Sequence, residues 1–405
     1  MWTGLPVAAP AVAALFAGIL LVAVGYGATF LLPRHFAASG GSEIDAGTVL
    51  GAAALGTFFG LLLTGSQAAR VGPARCAALG AGLVAAAYCF IAMSDRADAP
   101  AIVGGAALGC GWGMVYLAAP MALSRLVDDS TRAHWFLRFG AFQMAGIGIS
   151  PVIGETAVAG WGLETRTFFD GVAASSCLAA LLFLVFDVRA RVTSHAAPVR
   201  KGAPTMAPRA LMRGPARPPI VMVALGAAAF SGVMTFQSSI VGDTGLEPGL
   251  YFAAYTVTVV LARWVFAAPL GRLPAGFGIP VLLIVMVAGL GLLLGANAGP
   301  ARQAAHLCSA ILFGIGYRLV YPLIQAHAVN VVDDPALRDG ALTLFTVFYF
   351  GGLFGFPLLG GWIVVRLGVD ALVWTVIAIG TIELALGLRI GRPRHTGVTG
   401  RRIAR

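Results

Sequence analysis

The stretch Leu108-Gly-Cys-Gly-Trp-Gly-Met-Val-Tyr116 returns 205 residues later as Phe313-Gly-Ile-Gly-Tyr-Arg-Leu-Val-Tyr321. Each copy sets two glycines two residues apart, an aromatic after the second, and Val-Tyr one helical turn on. The register holds on both sides. Gly65-Ser-Gln-Ala-Ala69-Arg-Val-Gly72 returns as Gly271-Arg-Leu-Pro-Ala275-Gly-Phe-Gly278, and Val127-Asp-Asp129 as Val332-Asp-Asp334. Phe139, Phe142, Gly146, Pro151 and Gly154 return as Phe345, Phe348, Gly352, Pro357 and Gly360, and Thr29-Phe30 as Thr235-Phe236. One such match arises by chance among Ala/Gly-rich helices; a series in one order along the chain marks a duplication.

What is duplicated follows from composition. The 405 residues are 59% hydrophobic and 11% charged, with a mean hydropathy of +0.87, whereas a soluble domain carries about 25% charged residues. The chain reads as an all-α membrane protein. A bilayer-crossing helix needs roughly 20 apolar residues, and apolar runs between Gly/Pro and charge clusters give twelve. The first six run near Val7 to Leu32, Ala46 to Ser66, Cys76 to Ser94, Ala101 to Leu123, Trp135 to Ala157 and Phe168 to Phe186. The second six run near Pro219 to Ile240, Gly249 to Pro269, Ile279 to Ala296, Ala304 to Ala328, Ala341 to Val365 and Ala371 to Leu388. The first run lacks a basic leader and is too long for a cleaved signal, so it is read as a retained span.

Basic residues set the expected orientation. With the N-terminus inside, 19 fall on the cytoplasmic side, five outside (Arg34, Arg96, Arg166, Arg302, Arg366) and three within spans. The positive-inside rule then places both termini in the cytoplasm, and the net charge of +10 belongs to loops beside a membrane, not to a nucleic-acid surface. The Arg/Pro-rich segment 189–218 is read as a cytoplasmic linker between bundles at 1–188 and 219–390, with a basic cytoplasmic tail at 391–405. Lys201 is the only lysine, a bias that points to a GC-rich bacterial genome and hence an inner membrane. The five cysteines lie in apolar stretches without metal-ligand spacing.

At this point the sequence resembles the major facilitator superfamily over essentially its whole length. That family's loop between spans 2 and 3 is matched by Gly65, Arg70, Gly72 and Arg75, with Gly271 and Gly278 in the second copy, and the resemblance makes these gating residues. The family's acidic position is Ala69 here and Ala275 in the repeat, so the cytoplasmic charge lock lacks its acid. Closure there is expected to depend on backbone carbonyls and helix ends. In span 5, Gly146-Ile-Gly-Ile-Ser150-Pro151-Val-Ile-Gly154-Glu155 resembles the antiporter motif of the drug and sugar exporters, with Ser150 and Glu155 replacing glycines.

Charges inside a span are costly, so Arg263 in span 8, Arg318 in span 10 and Glu383 in span 12 need partners or water. The resemblance makes spans 1, 4, 7 and 10 line a central cavity. That puts Arg318, the stripe Tyr317, Tyr321 and Gln325, and the matching Trp112 and Tyr116 near a substrate path, with Gln237 and Tyr26 as further polar candidates. The competing structural reading packs the aromatics between helices, neutralises Arg318 with Glu383 and bonds Arg263 to Gln143. Glu155 and Glu383 are the proton-coupling candidates. Arg34-His35 reads as an interfacial anchor, and the Asp-Asp pairs at 128 and 333 as solvated helix ends beside Arg132 and Arg338, not metal ligands.

No Walker loop, HExxH or nucleophile elbow occurs. The expectation is therefore a non-enzymatic, monomeric secondary transporter without cofactor. It exports a small, anionic organic solute in exchange for protons; import or facilitated passage of an organic anion is the alternative, and a non-transporting membrane receptor or assembly factor a further one.

Overall fold

The computed structural model describes residues 9–127, 129–193, 208–242, 244–270, 274–296 and 301–390. Among these, eleven helices are long and apolar enough to cross a membrane, and the helix Pro248–Leu270 completes twelve. Span 1 is Ala9–Gly27, continued by a 3₁₀ turn at Ala28–Leu31 and a short helix Leu32–Ala38. Spans 2 to 4 are Glu43–Gln67, Pro73–Ala92 and Ala99–Ser124. Span 5 is Asp129–Glu155 with a π-helical turn at Thr156–Gly160, and span 6 is Thr165–Thr193. After a short helix Pro208–Arg213, span 7 is Arg217–Thr235 followed by Gln237–Val241. Spans 8 to 12 are Pro248–Leu270, Ala275–Ala296, Arg302–Asn330, Pro335–Leu367 and Val369–Ile390.

Spans 5 and 11 start six residues before, and span 6 ends seven residues beyond, the sequence expectation, and two further differences change local structure. Span 1 continues past Leu32 to Ala38, which draws Arg34 and His35 into the helix. Span 7 breaks at Phe236, whose ψ of 19° interrupts the ladder one turn before the expected end. Local signals set several helix starts: Ser42 and Asp45 form a capping box at span 2, Asp98 accepts from the Ala101 amide at 3.0 Å at span 4, and Gly72, at φ 96°, turns the chain into Pro73 at span 3.

The packing is its own copy. Spans 2 and 3 pack on span 4, and spans 8 and 9 on span 10; spans 5 and 6 pack on span 1, and spans 11 and 12 on span 7. The interfaces between the halves obey the same exchange, since span 2 meets span 11 and span 5 meets span 8. The duplication in sequence is thus a two-bundle fold with pseudo-twofold symmetry.

The stretch that opened the reading shows why. Residues two apart on a helix point about 200° apart, so the Gly-x-Gly pair serves opposite neighbours. A Cβ at Gly109 would collide with the Ala53 carbonyl of span 2, and one at Gly111 with the Gly80 carbonyl of span 3. In the copy, Gly316 abuts Met286 of span 9 while Gly314 faces Tyr255 of span 8. Small residues let backbones approach where lipid gives helices no hydrophobic reason to associate. Outward, Leu55, Phe59, Leu62, Leu181, Leu261 and Leu359 are exposed, the surface a bilayer covers.

Candidate functional site

Of the differences between the two copies of that stretch, one introduces a charge: Gly113 in span 4 is Arg318 in span 10. Gly113 continues the close approach of span 4 to span 2, where a Cβ would lie 2.7 Å from the Thr57 carbonyl. The Arg318 side chain occupies the equivalent place between spans 10 and 8, and those spans stand further apart; a Cβ at Gly314 meets Tyr255 only at 3.3 Å. Beside Arg318, at the interface of the two bundles, lies a small cavity. Phe30 of span 1, Met144, Ile147, Gly148 and Pro151 of span 5, and Phe230 and Met234 of span 7 line it, with Phe252, Tyr255, Thr256 and Val259 of span 8 opposite. Among the described residues of that lining, Arg318 is the charged one.

Arg318 is buried, at 6% exposure. Its Nε donates to the Tyr255 hydroxyl at 3.0 Å, and its Cζ lies 4.8 Å from the Phe230 ring centre and 5.3 Å from that of Tyr317. These contacts orient the guanidinium and give it cation–π stabilisation. They do not neutralise it. The expected pair with Glu383 is not formed: among the described residues the ion pairs are Arg34 with Glu155 and Arg75 with Asp187. Span 12 packs on spans 7, 9 and 11, so the buried Glu383 carboxyl lies against Gly226 of span 7, and its Oε2 has no hydrogen-bond partner.

The other sequence candidates divide. Tyr317 stacks on Phe230 and Phe313, forming the wall behind Arg318. Tyr321 packs against Phe345 and Tyr349, and Gln325 lies a further turn away and half-buried. Tyr26 stacks on Trp112 at 5.1 Å and meets Phe354 edge-on, while Tyr116 contacts Tyr349 and Phe350. These rings join the halves beside the cavity rather than lining it. Gln237, at the span 7 break, is buried with its amide 2.6 Å from His306 Nε2. The side chain of Arg263 lies outside the described residues. Tyr255 was missed, because a tyrosine in an apolar helix carries no spacing signal until its partner is known.

At one end of the bundle polar bonds join the halves. Glu155 of span 5 pairs with Arg34 of span 1 and accepts from Ser238 at 3.2 Å; Glu43 of span 2 accepts from Ser239 at 3.0 Å. Arg34-His35 is therefore no interfacial anchor. His35 is buried, its Nε2 reaching the Ile91 and Ser94 carbonyls at 3.2 and 3.1 Å, so that Nδ1 accepts from Thr165 at 2.9 Å. At the opposite end, Arg75 bonds Asp187 of its own half at 3.0 Å, Arg70 and Gly65 are exposed, Gly72 makes its turn, and Gly278 is buried in span 9. Gly271 lies outside the described residues.

A family model described as Major Facilitator Superfamily matches residues 14–347. No curated protein matches the chain. Among solved structures, a mutant of the peptide transporter POT bound to sulfate is similar at a TM-score of 0.72 and 16% identity, over 94% of this chain and 95% of that one. The same transporter with alafosfalin gives 0.72 and 16% over the same shares. A mutant of the nucleoside transporter NupG gives 0.72 at 14% identity, over 94% and 100%. At these identities the likeness is one of fold.

Proposed function

This chain belongs to the Major Facilitator Superfamily, a family of membrane transporters and not of enzymes, and we propose that it moves a small organic solute bearing an acidic group by alternating access around Arg318. The carrying observation is a buried guanidinium, held by Tyr255 and two rings, in the wall of an aromatic cavity between the halves. A buried charge without a counter-ion is costly, and an anion entering the cavity relieves that cost while the rings pack its apolar part. Tyr317 backs that position, Trp112, Tyr116, Tyr321, Gln325, Tyr26 and Gln237 are proposed as further substrate contacts along the path between the halves, and Arg263 is a second cation of the same bundle.

Glu155 and Glu383 are the proposed proton carriers. Export is the proposed direction, from the span 5 motif ending at Glu155, across a bacterial inner membrane with both termini in the cytoplasm and the protein acting as a monomer. Proteoliposomes loaded with a panel of organic acids and amines, with the pH gradient imposed in either direction, test the reading. Acid movement driven by the gradient is expected, and its sign separates export from uptake. Arg318→Gln should weaken acid binding by about 1.5 to 3 kcal/mol, the scale of a hydrogen bond to a charged group; Arg318→Lys should recover part. Full-affinity binding of a lipophilic cation in both variants would return Arg318 to a structural role.

A further inference from the structure

The polar groups of the cavity are few, and their number defines the cargo more narrowly than its sign. Thr256 donates its hydroxyl to the Phe252 carbonyl at 2.7 Å, in its own helix. Tyr255 receives the Arg318 Nε. The remaining lining is Phe30, Phe230, Phe252, two methionines and aliphatic or backbone surface. Among the described residues the lining offers one cation, no carboxylate and no side-chain amide.

Resting on the reading above, we infer that the cavity selects a monoanion with an apolar body: one carboxylate on the Nη fork of Arg318, its ring or chain against the mutually packed rings of Phe30, Phe230 and Phe252. A second carboxylate on the solute meets aromatic faces, whose quadrupole repels negative charge, and a buried unpaired charge is too costly to keep. A zwitterion fails for the complementary reason, since its ammonium finds no carboxylate in the lining. Tyr255 is a positioning residue in this scheme. By holding Nε it leaves the two terminal nitrogens as the fork, the geometry that matches a carboxylate with two parallel bonds.

The protein in lipid nanodiscs tests this by equilibrium binding of four probes on one skeleton: 3-phenylpropionate, its amide, phenylsuccinate and phenylalanine. The monoanion is expected to bind roughly tenfold or more tighter than each of the others, the scale set by an unpaired polar group or charge. Tyr255→Phe, which keeps the ring, is expected to weaken 3-phenylpropionate several-fold with the amide unchanged, so that the acid-to-amide ratio falls at an unchanged melting temperature. Tighter binding of phenylsuccinate or phenylalanine, no binding of 3-phenylpropionate, or an unchanged ratio in Tyr255→Phe overturns the inference. Tighter phenylsuccinate binding that is still lost in Arg318→Gln would leave the acidic-solute reading standing and bring in Arg263, one turn beyond Val259, as a second cation. Binding of a lipophilic amine indifferent to Arg318→Gln would remove both.

Discussion

A duplicated protein shows its specialisation at residues where the copies disagree, and Gly113 against Arg318 is the clearest such pair. The glycine lets two helices touch; the arginine places a cation in the cavity between the halves. Glu383 is the acidic charge among the three within spans, and it lies against Gly226 rather than Arg318. An acid with no cation beside it among the described residues can take up or lose a proton without breaking an ion pair, whereas Glu155 is tied to Arg34 and Ser238. Glu383→Gln preserves size and hydrogen-bonding capacity, so the variant is expected to fold and to bind the acid solute as before, with transport no longer responding to an imposed pH gradient. Retained gradient dependence in reconstituted Glu383→Gln would move the proton site to Glu155.

At the scale of elements, spans 2 and 4 are joined by a ladder of small residues at four-residue spacing. Gly105, Gly109 and Gly113 face the backbone of Val49, Ala53 and Thr57, and Gly56 and Gly60 face Ala106 and Cys110 in return. Such packing replaces the hydrophobic effect, which is absent between helices in lipid. A methyl group at Gly109 has no flexible neighbour to displace, only the Ala53 carbonyl. Gly109→Ala is therefore expected to lower the melting temperature in detergent, by a cost on the order of the 1 to 3 kcal/mol typical of overpacking. Gly82, with nothing near its missing Cβ, is the control: Gly82→Ala should be neutral or stabilising by up to about 1 kcal/mol, the helix penalty of glycine. Equal melting temperatures for the two variants would contradict the ladder.

For the whole molecule, alternating access requires the two bundles to close at one end and part at the other. Two hydrogen bonds between the halves, Ser238 to Glu155 and Ser239 to Glu43, lie at the end holding the short helix Gln237–Val241. Two adjacent serines there reach two different spans of the other half, so a single rotation of that helix releases both. The double variant Ser238→Ala with Ser239→Ala is expected to shift the population toward separation at that end, read as a longer distance between spin labels placed on spans 2 and 8. At the other end, Ala69 and Ala275 offer no carboxylate, and Ala69→Asp, by supplying one near the exposed Arg70, should shift the balance between the two closed forms. Unchanged label distances in both variants would show that neither end is held by these contacts.

The chain alone determined the twelve helices, the duplication and the family, because each rests on information linear in sequence: hydropathy summed over a span, and glycines and prolines repeating at a fixed offset. Arg318 was legible as a costly charge that needed a reason. Its partner was not. Pairings between spans depend on which neighbours a helix acquires and on the rotation at which it packs, and neither quantity is written in the spacing of one span. That is why Tyr255 was overlooked, why the competing reading could pair Glu383 with Arg318, and why Arg34 and His35 read as an interfacial anchor until the continuation of span 1 buried His35 and brought Arg34 to Glu155. Only the tertiary structure, by bringing spans 1 and 5 of one half against spans 7 and 8 of the other beside Arg318, decided where in a symmetric fold the cavity would lie.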